Sequence, residues 1–166
     1  MLKGKRGYTM SEIDKKLSEL GIELPEPRKP LAAYVPTVIT GKLLYTSGNT
    51  PGSTVDADGS PAKEGHLGAE LTVEDGYRAA RICAINCLAA VKQALGDLDR
   101  VDRVVKLLGF VSSAPGFNDQ PLVMNGASEL LVQVFGENGE HARSAIGVNE
   151  LPGNASVEVE MILALK

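Results

Sequence analysis

Residues 101–112 constrain what this chain can fold into more than any other stretch. Val104, Val105, Leu107, Leu108, Phe110 and Val111 place apolar side chains on both faces of an extended segment, because successive side chains of a strand point opposite ways. A strand apolar on both sides belongs in the middle of a sheet, covered above and below. The rest of the chain has to supply that cover. Helical periodicity sets in after Thr72 and runs to about Leu95, with Ala80, Cys83, Ala84, Cys87, Leu88 and Val91 on one stripe and Gly96 as C-cap. A second helix is predicted from Pro121, a residue suited to the first helical position, to about Phe135. Two β-rich runs, 34–39 and 43–47, flank Thr40-Gly41-Lys42 and read as a hairpin; Pro36 confines the first run to an edge or bulge. Strands at about 143–148 and 156–165 close the chain. The predicted order is β-β-α-β-α-β-β, an α+β domain whose two helices reach only one sheet face. Self-association is the expected cover for the other.

A short helix with Ile13, Leu17 and Leu20 on one side is predicted ahead of this domain, capped by Ser11 and stopped by Gly21. Residues 1–10 form a basic tail in which Met10 is an alternative start, and Pro25, Pro27 and Pro30 make an extended connector. The expected division is therefore a tail, helix and connector over 1–30 and one domain over 31–166, since 166 residues leave no room for two ordinary domains. Residues 49–70 are rich in Gly, Pro, Ser, Asp and Thr and read as a long loop, of the kind that often serves as a lid or interface.

The formal net charge of −4 argues against nonspecific grip on nucleic acid or anionic lipid. No apolar run approaches the roughly 20 residues that span a bilayer, and no apolar stretch follows the basic N-terminus as in a secretory signal, so the cytoplasm is the expected location. Cys83 and Cys87 share a helix face with alanines and leucines, which reads as packing. Neither His66 nor His141 has ligand spacing to them, so no metal site is expected.

Two patterns carry possible chemistry. In Arg143-Ser144-Ala145-Ile146-Gly147-Val148, the arginine shares its strand face with two very small residues, Ala145 and Gly147. That leaves an open floor before a guanidinium, suited to bidentate capture of a carboxylate; a surface arginine paired with an acid fits the same pattern. In Val157-Glu158-Val159-Glu160-Met161, both glutamates face one way. One of them could hold water or act as a base on a partly closed face, or both could simply be solvated. Tyr34, Ser47 and Asn125 are single polar residues at element ends, Gly48 permits close backbone approach, and His141 is expected to be exposed.

The run Ala142-Arg143-Ser144, with Glu158 fifteen residues after the arginine, resembles the C-terminal signature of the RidA (YjgF-type) reactive imine/enamine deaminase family. Ala33-Tyr34 followed by Tyr45-Thr46-Ser47-Gly48 is similar to that family's first hairpin, and the 106–111 strand and Phe117-Asn118-Asp119 through Asn125 also match. The resemblance covers about residues 31–166. It implies a chorismate-mutase-like fold, a homotrimer and an active site in each cleft between subunits. Arg143 would hold the substrate carboxylate and Glu158 would orient or activate water. Tyr34, Ser47 and Asn125 would line the cleft, with main-chain groups of Gly48 and Ala145. The implied reaction is hydrolysis of 2-imino or 2-enamino acids to 2-keto acids and ammonia, without metal or organic cofactor. The alternatives are a regulatory trimer that binds small carboxylates without turnover and, more weakly, a ribonuclease. This sequence departs from the pattern in having His141 where proline is common, Ala145 for a frequent cysteine, a longer 49–70 loop and the first 30 residues.

Overall fold

The computed structural model describes residues 10–27 and 33–166; the tail before Met10 and Pro30 of the connector lie outside the described residues. The elements follow in the order α1 (Glu12–Glu19), β1 (Thr37–Thr40), β2 (Leu43–Thr46), α2 (Val73–Leu95), β3 (Val101–Ser112), α3 (Gln120–Phe135), β4 (Ala142–Val148) and β5 (Val157–Leu165). The five strands make one sheet ordered β1-β2-β5-β3-β4. β3 lies parallel to β4 and antiparallel to β5, and the other neighbours are antiparallel. A parallel pair needs a crossover; α3 supplies it. The expected topology, with helices on one face, is the observed one.

Local chemistry accounts for the main boundaries. Thr72 caps α2 in a reciprocal box: its hydroxyl accepts from the Asp75 N–H, and the Asp75 carboxylate accepts from the Thr72 N–H. Gly96 ends the helix at φ 79°, a conformation that L side chains resist. β1 begins three residues later than predicted. Residues 34–36 are instead tied to the end of β2, Ser47 donating its N–H to the Pro36 carbonyl and its hydroxyl to that of Val35.

The core lies between the sheet's inner face and the two long helices. Leu44, Leu107, Val111, Val157, Val159 and Leu163 are fully buried there against Cys83, Leu88 and Leu130. α2 and α3 approach closely because Gly126 has no side chain: a Cβ there would lie 1.9 Å from the Tyr77 carbonyl oxygen. Gly109 likewise leaves β3 room for Met124. Cys83 and Cys87 are buried thiols that donate to the carbonyls of Val157 and Val159. Burial pushes the Cys87 thiol up to about 12, and both side chains pack in the core.

α1 shares this core through Leu17. Asp99 receives the backbone N–H groups of Glu12 and Ile13 on its two oxygens, and Asp14 pairs with Lys92 of α2. The 49–70 segment is pinned throughout its length. Asn86 holds the carbonyls of Thr50 and Pro51 and the Thr54 hydroxyl, Arg81 pairs with Asp56, Arg78 with Asp58, and Ser156 donates to the Lys63 carbonyl.

Among the described residues, no helix lies over the outer sheet face. Tyr45, Leu108, Phe110, Ile146 and Ile162 face that way by register, and Ile146 keeps 45% of its surface exposed and Tyr45 39%. Among the described residues, the two-sided apolar pattern of β3 therefore meets helices on one side. No helix among the described residues is long and apolar enough to cross a membrane.

Candidate functional site

The residues singled out from the sequence assemble into two groups on opposite sides of the sheet. In the first, Arg143 pairs in register with the buried Leu107 and points to the helix side. Its Nη1 donates to Asn125 Oδ1 at 2.9 Å and to Ser128 Oγ at 3.0 Å, and its Nη2 donates to the Pro121 carbonyl at 3.2 Å. These acceptors stand at positions 121, 125 and 128 of α3, spaced to line one face of the helix. Among the described residues three of the five guanidinium N–H donors are thus engaged, leaving Nε–H and one hydrogen on Nη2. Among the described residues no carboxylate pairs with Arg143, which removes the reading of an ordinary surface ion pair.

The open floor expected beside Arg143 is not open along its whole length. Ala145 is half-buried against the core, and the space above Gly147 is taken by Gln120 and Ser113, since a Cβ on Gly147 would lie 2.7 Å from the Gln120 amide nitrogen. The same strand face that the alternation opens is closed by the N-terminal turn of α3.

The second group gathers on the outer face, around the end of β2. Glu158 pairs in register with Phe110 and sits over Gly48, where a Cβ would come within 1.9 Å of its carboxylate oxygen. Ser47 is held through Val35, beside the exposed Tyr34. Glu158 and Glu160 are both half-buried rather than freely solvated. Burial raises the Glu158 carboxyl above the ordinary range, with Glu160 acting in the same direction.

Arg143 and Glu158 do not meet within one chain. From the register they are separated by about 10 Å along the strands and about 10 Å across them, and the sheet lies between. No group of three or more metal-ligating side chains occurs among the described residues.

Of the first group, Ser128 escaped the sequence reading, and His141 was noted there but placed at the surface. Ser128 lies in a helix stripe that reads as surface, and its only signal is its spacing from Asn125. His141, expected to be exposed, is half-buried: its Nε2 lies 3.0 Å from Ser128 Oγ and its Nδ1 2.6 Å from the Gly139 carbonyl. The turn over Gly136–Gly139 packs on the end of α3 through Gly139, whose carbonyl meets the ring at Nδ1.

A single α+β sheet with helices on one face, and an edge-strand arginine that α3 holds with no acid partner among the described residues, defines a fold of the chorismate-mutase-like class. A family model described as "YjgF/chorismate mutase-like, putative endoribonuclease" matches residues 14–165. The chain belongs to this YjgF (RidA-type) family. Protein TCP17 of Trypanosoma cruzi is 48% identical over 150 residues, covering 90% of this chain and 91% of that protein. The crystal structure of Atu1372 from Agrobacterium tumefaciens, a protein of unknown function, is 48% identical with a TM-score of 0.83, covering 93% of this chain and 92% of the other. That of a "putative endoribonuclease" from Shewanella oneidensis is 34% identical with a TM-score of 0.86, covering 93% and 100%.

Proposed function

We propose that this protein hydrolyses reactive 2-imino and 2-enamino acids to 2-keto acids and ammonia, at clefts between the subunits of a homotrimer. The observation that carries the reading is an arginine with three acceptors on α3, no acid partner among the described residues and two N–H donors left over. Two donors on neighbouring nitrogens suit the two oxygens of a carboxylate. Glu158 faces the other way, on the apolar outer face, so a second copy packed on that face is what would bring one subunit's Glu158 towards another's Arg143. The bare sheet supports such assembly, because exposed apolar surface of this kind favours association.

In this reading Arg143 holds the substrate carboxylate, with Asn125 and the Ala145 main chain beside it. Glu158 places a water molecule at the imine carbon, and Tyr34, Ser47 and Gly48 line the same side. Water adds across the C=N bond, a proton passes to nitrogen, and the carbinolamine expels ammonia to leave the ketone. The imine is already electrophilic, so positioning supplies most of the acceleration. A carboxylate made more basic by burial is better suited to take a proton from water than an ordinary one.

The test is decay of 2-aminoacrylate generated in situ by a serine-consuming enzyme. Wild type should accelerate it, Arg143→Ala should lose about 10²–10³-fold, and Glu158→Gln a similar factor. A trimer that binds 2-keto acids but leaves imine decay at the buffer rate would establish the regulatory alternative. The name of the Shewanella relative calls for an RNA-cleavage control; the acidic chain makes cleavage the weaker expectation.

A further inference from the structure

The polarity of the hydrogen bonds behind Arg143 can be assigned from chemistry alone. The Gly139 carbonyl only accepts, so the His141 nitrogen 2.6 Å away must carry a hydrogen. A neutral imidazole protonated on Nδ1 has a bare Nε2, which must accept from Ser128 Oγ–H. The serine hydrogen is then committed to the ring, and the oxygen's lone pairs are left to receive Arg143 Nη1–H. Burial of the ring favours the neutral form; the Gly139 hydrogen bond opposes this, and the nearby Arg143 charge reinforces it. Gly139 packs directly on α3, where a Cβ would stand 2.2 Å from the Leu131 carbonyl oxygen, and its own carbonyl reaches the ring at Nδ1.

We propose that Ser128 and His141 are positioning residues for Arg143: a one-way chain of hydrogen bonds, from Arg143 through Ser128 and His141 to the Gly139 carbonyl, fixes the guanidinium in the orientation that receives the substrate. What the arginine receives rests on the function proposed above; that it is held this way does not. A serine hydroxyl with an uncommitted hydrogen can rotate and turn that hydrogen towards the guanidinium. Tying it to a bare ring nitrogen prevents this. Asn125 then fixes the second Nη1 hydrogen, and the two engaged hydrogens together stop rotation about the Cζ–Nη1 bond.

Three measurements test the proposal on the full chain and on Ser128→Ala, Ser128→Thr and His141→Ala. Nitrogen-15 spectra of His141 should show the Nδ1–H tautomer, the minor form of free histidine. The Arg143 Nη1 protons should be separate, slowly exchanging resonances in wild type and Ser128→Thr, and averaged in Ser128→Ala and His141→Ala. With 2-aminoacrylate, Ser128→Ala should raise KM about 10-fold with a smaller fall in kcat, and Ser128→Thr should restore it. If the pair merely ties β4 to α3, the alanine variants lower the thermal midpoint but leave the guanidinium spectrum and KM unchanged. That result, or an Nε2–H tautomer, overturns the proposal. If wild type fails to accelerate imine decay, the deaminase reading fails alone, and the tautomer and guanidinium spectra still decide the positioning role.

Discussion

Replacing Gly48 with alanine separates the position of Glu158 from its presence. Gly48 is not among the glycines with positive φ, so alanine fits the backbone. The added Cβ would lie 1.9 Å from Glu158 Oε1, 2.9 Å from Cδ and 3.2 Å from Cγ, whereas ordinary contact begins at 3.4 Å. The carboxylate must therefore retreat by about 1.5 Å, and a displacement of about 1 Å in a reacting group can cost on the order of 10²-fold in rate. Glu158 ends a flexible, half-buried side chain that can swing aside, so stability should change by no more than about 0.5 kcal/mol. The expected result in the 2-aminoacrylate assay is a kcat lowered about 100-fold with KM nearly unchanged and a thermal midpoint close to wild type. In Gly48→Ala/Glu158→Gln the two losses should not add, because both act on the same carboxylate. Gly48→Ala with wild-type kcat would refute the placement of water by Glu158.

Further outcomes follow from the same geometry. The activity of wild type should rise with pH along a limb set by ionisation of Glu158, above the ordinary carboxylate range. Burial is the larger cause and Glu160 the smaller, so Glu160→Gln should move the limb to lower pH without bringing it back to the ordinary value; a limb that stays in place or moves up contradicts this. Ile146→Asp puts a charge on the bare sheet face and should shift the particle mass in light scattering towards the monomer, abolishing imine hydrolysis; an intact trimer rules out that face as the interface. Gly126→Ala forces a Cβ against the Tyr77 carbonyl between α2 and α3 and should cost about 3 kcal/mol, read as a lowered denaturation midpoint. An unchanged midpoint would mean that the helices can separate freely.

Much of the architecture was legible because it follows from local rules. The alternation in β3, the stripe of α2 between Thr72 and Gly96, and the proline at the start of α3 each act over a few residues, and the observed elements begin and end close to the expected places. The start of β1 was less legible, because whether 34–36 join the ladder depends on Ser47, which donates its N–H and its hydroxyl to that segment.

The candidate site divides in the same way. Its residue types were readable in order, since strand alternation alone puts Arg143 with Ala145 and Gly147, and Glu158 with Glu160. Which way each face turns was decided only when α3 packed over β3 and β4. That packing sent Arg143 to the helix side and left Glu158 on the bare side, and it closed the floor at Gly147 with Gln120. The partners of Arg143 lie 15 to 22 residues before it, and His141 is tied to Ser128 and to the carbonyl of Gly139, in a turn that docks on α3. Contacts between elements obey no short period, so a one-dimensional pattern carries the candidates and the three-dimensional packing selects among their roles.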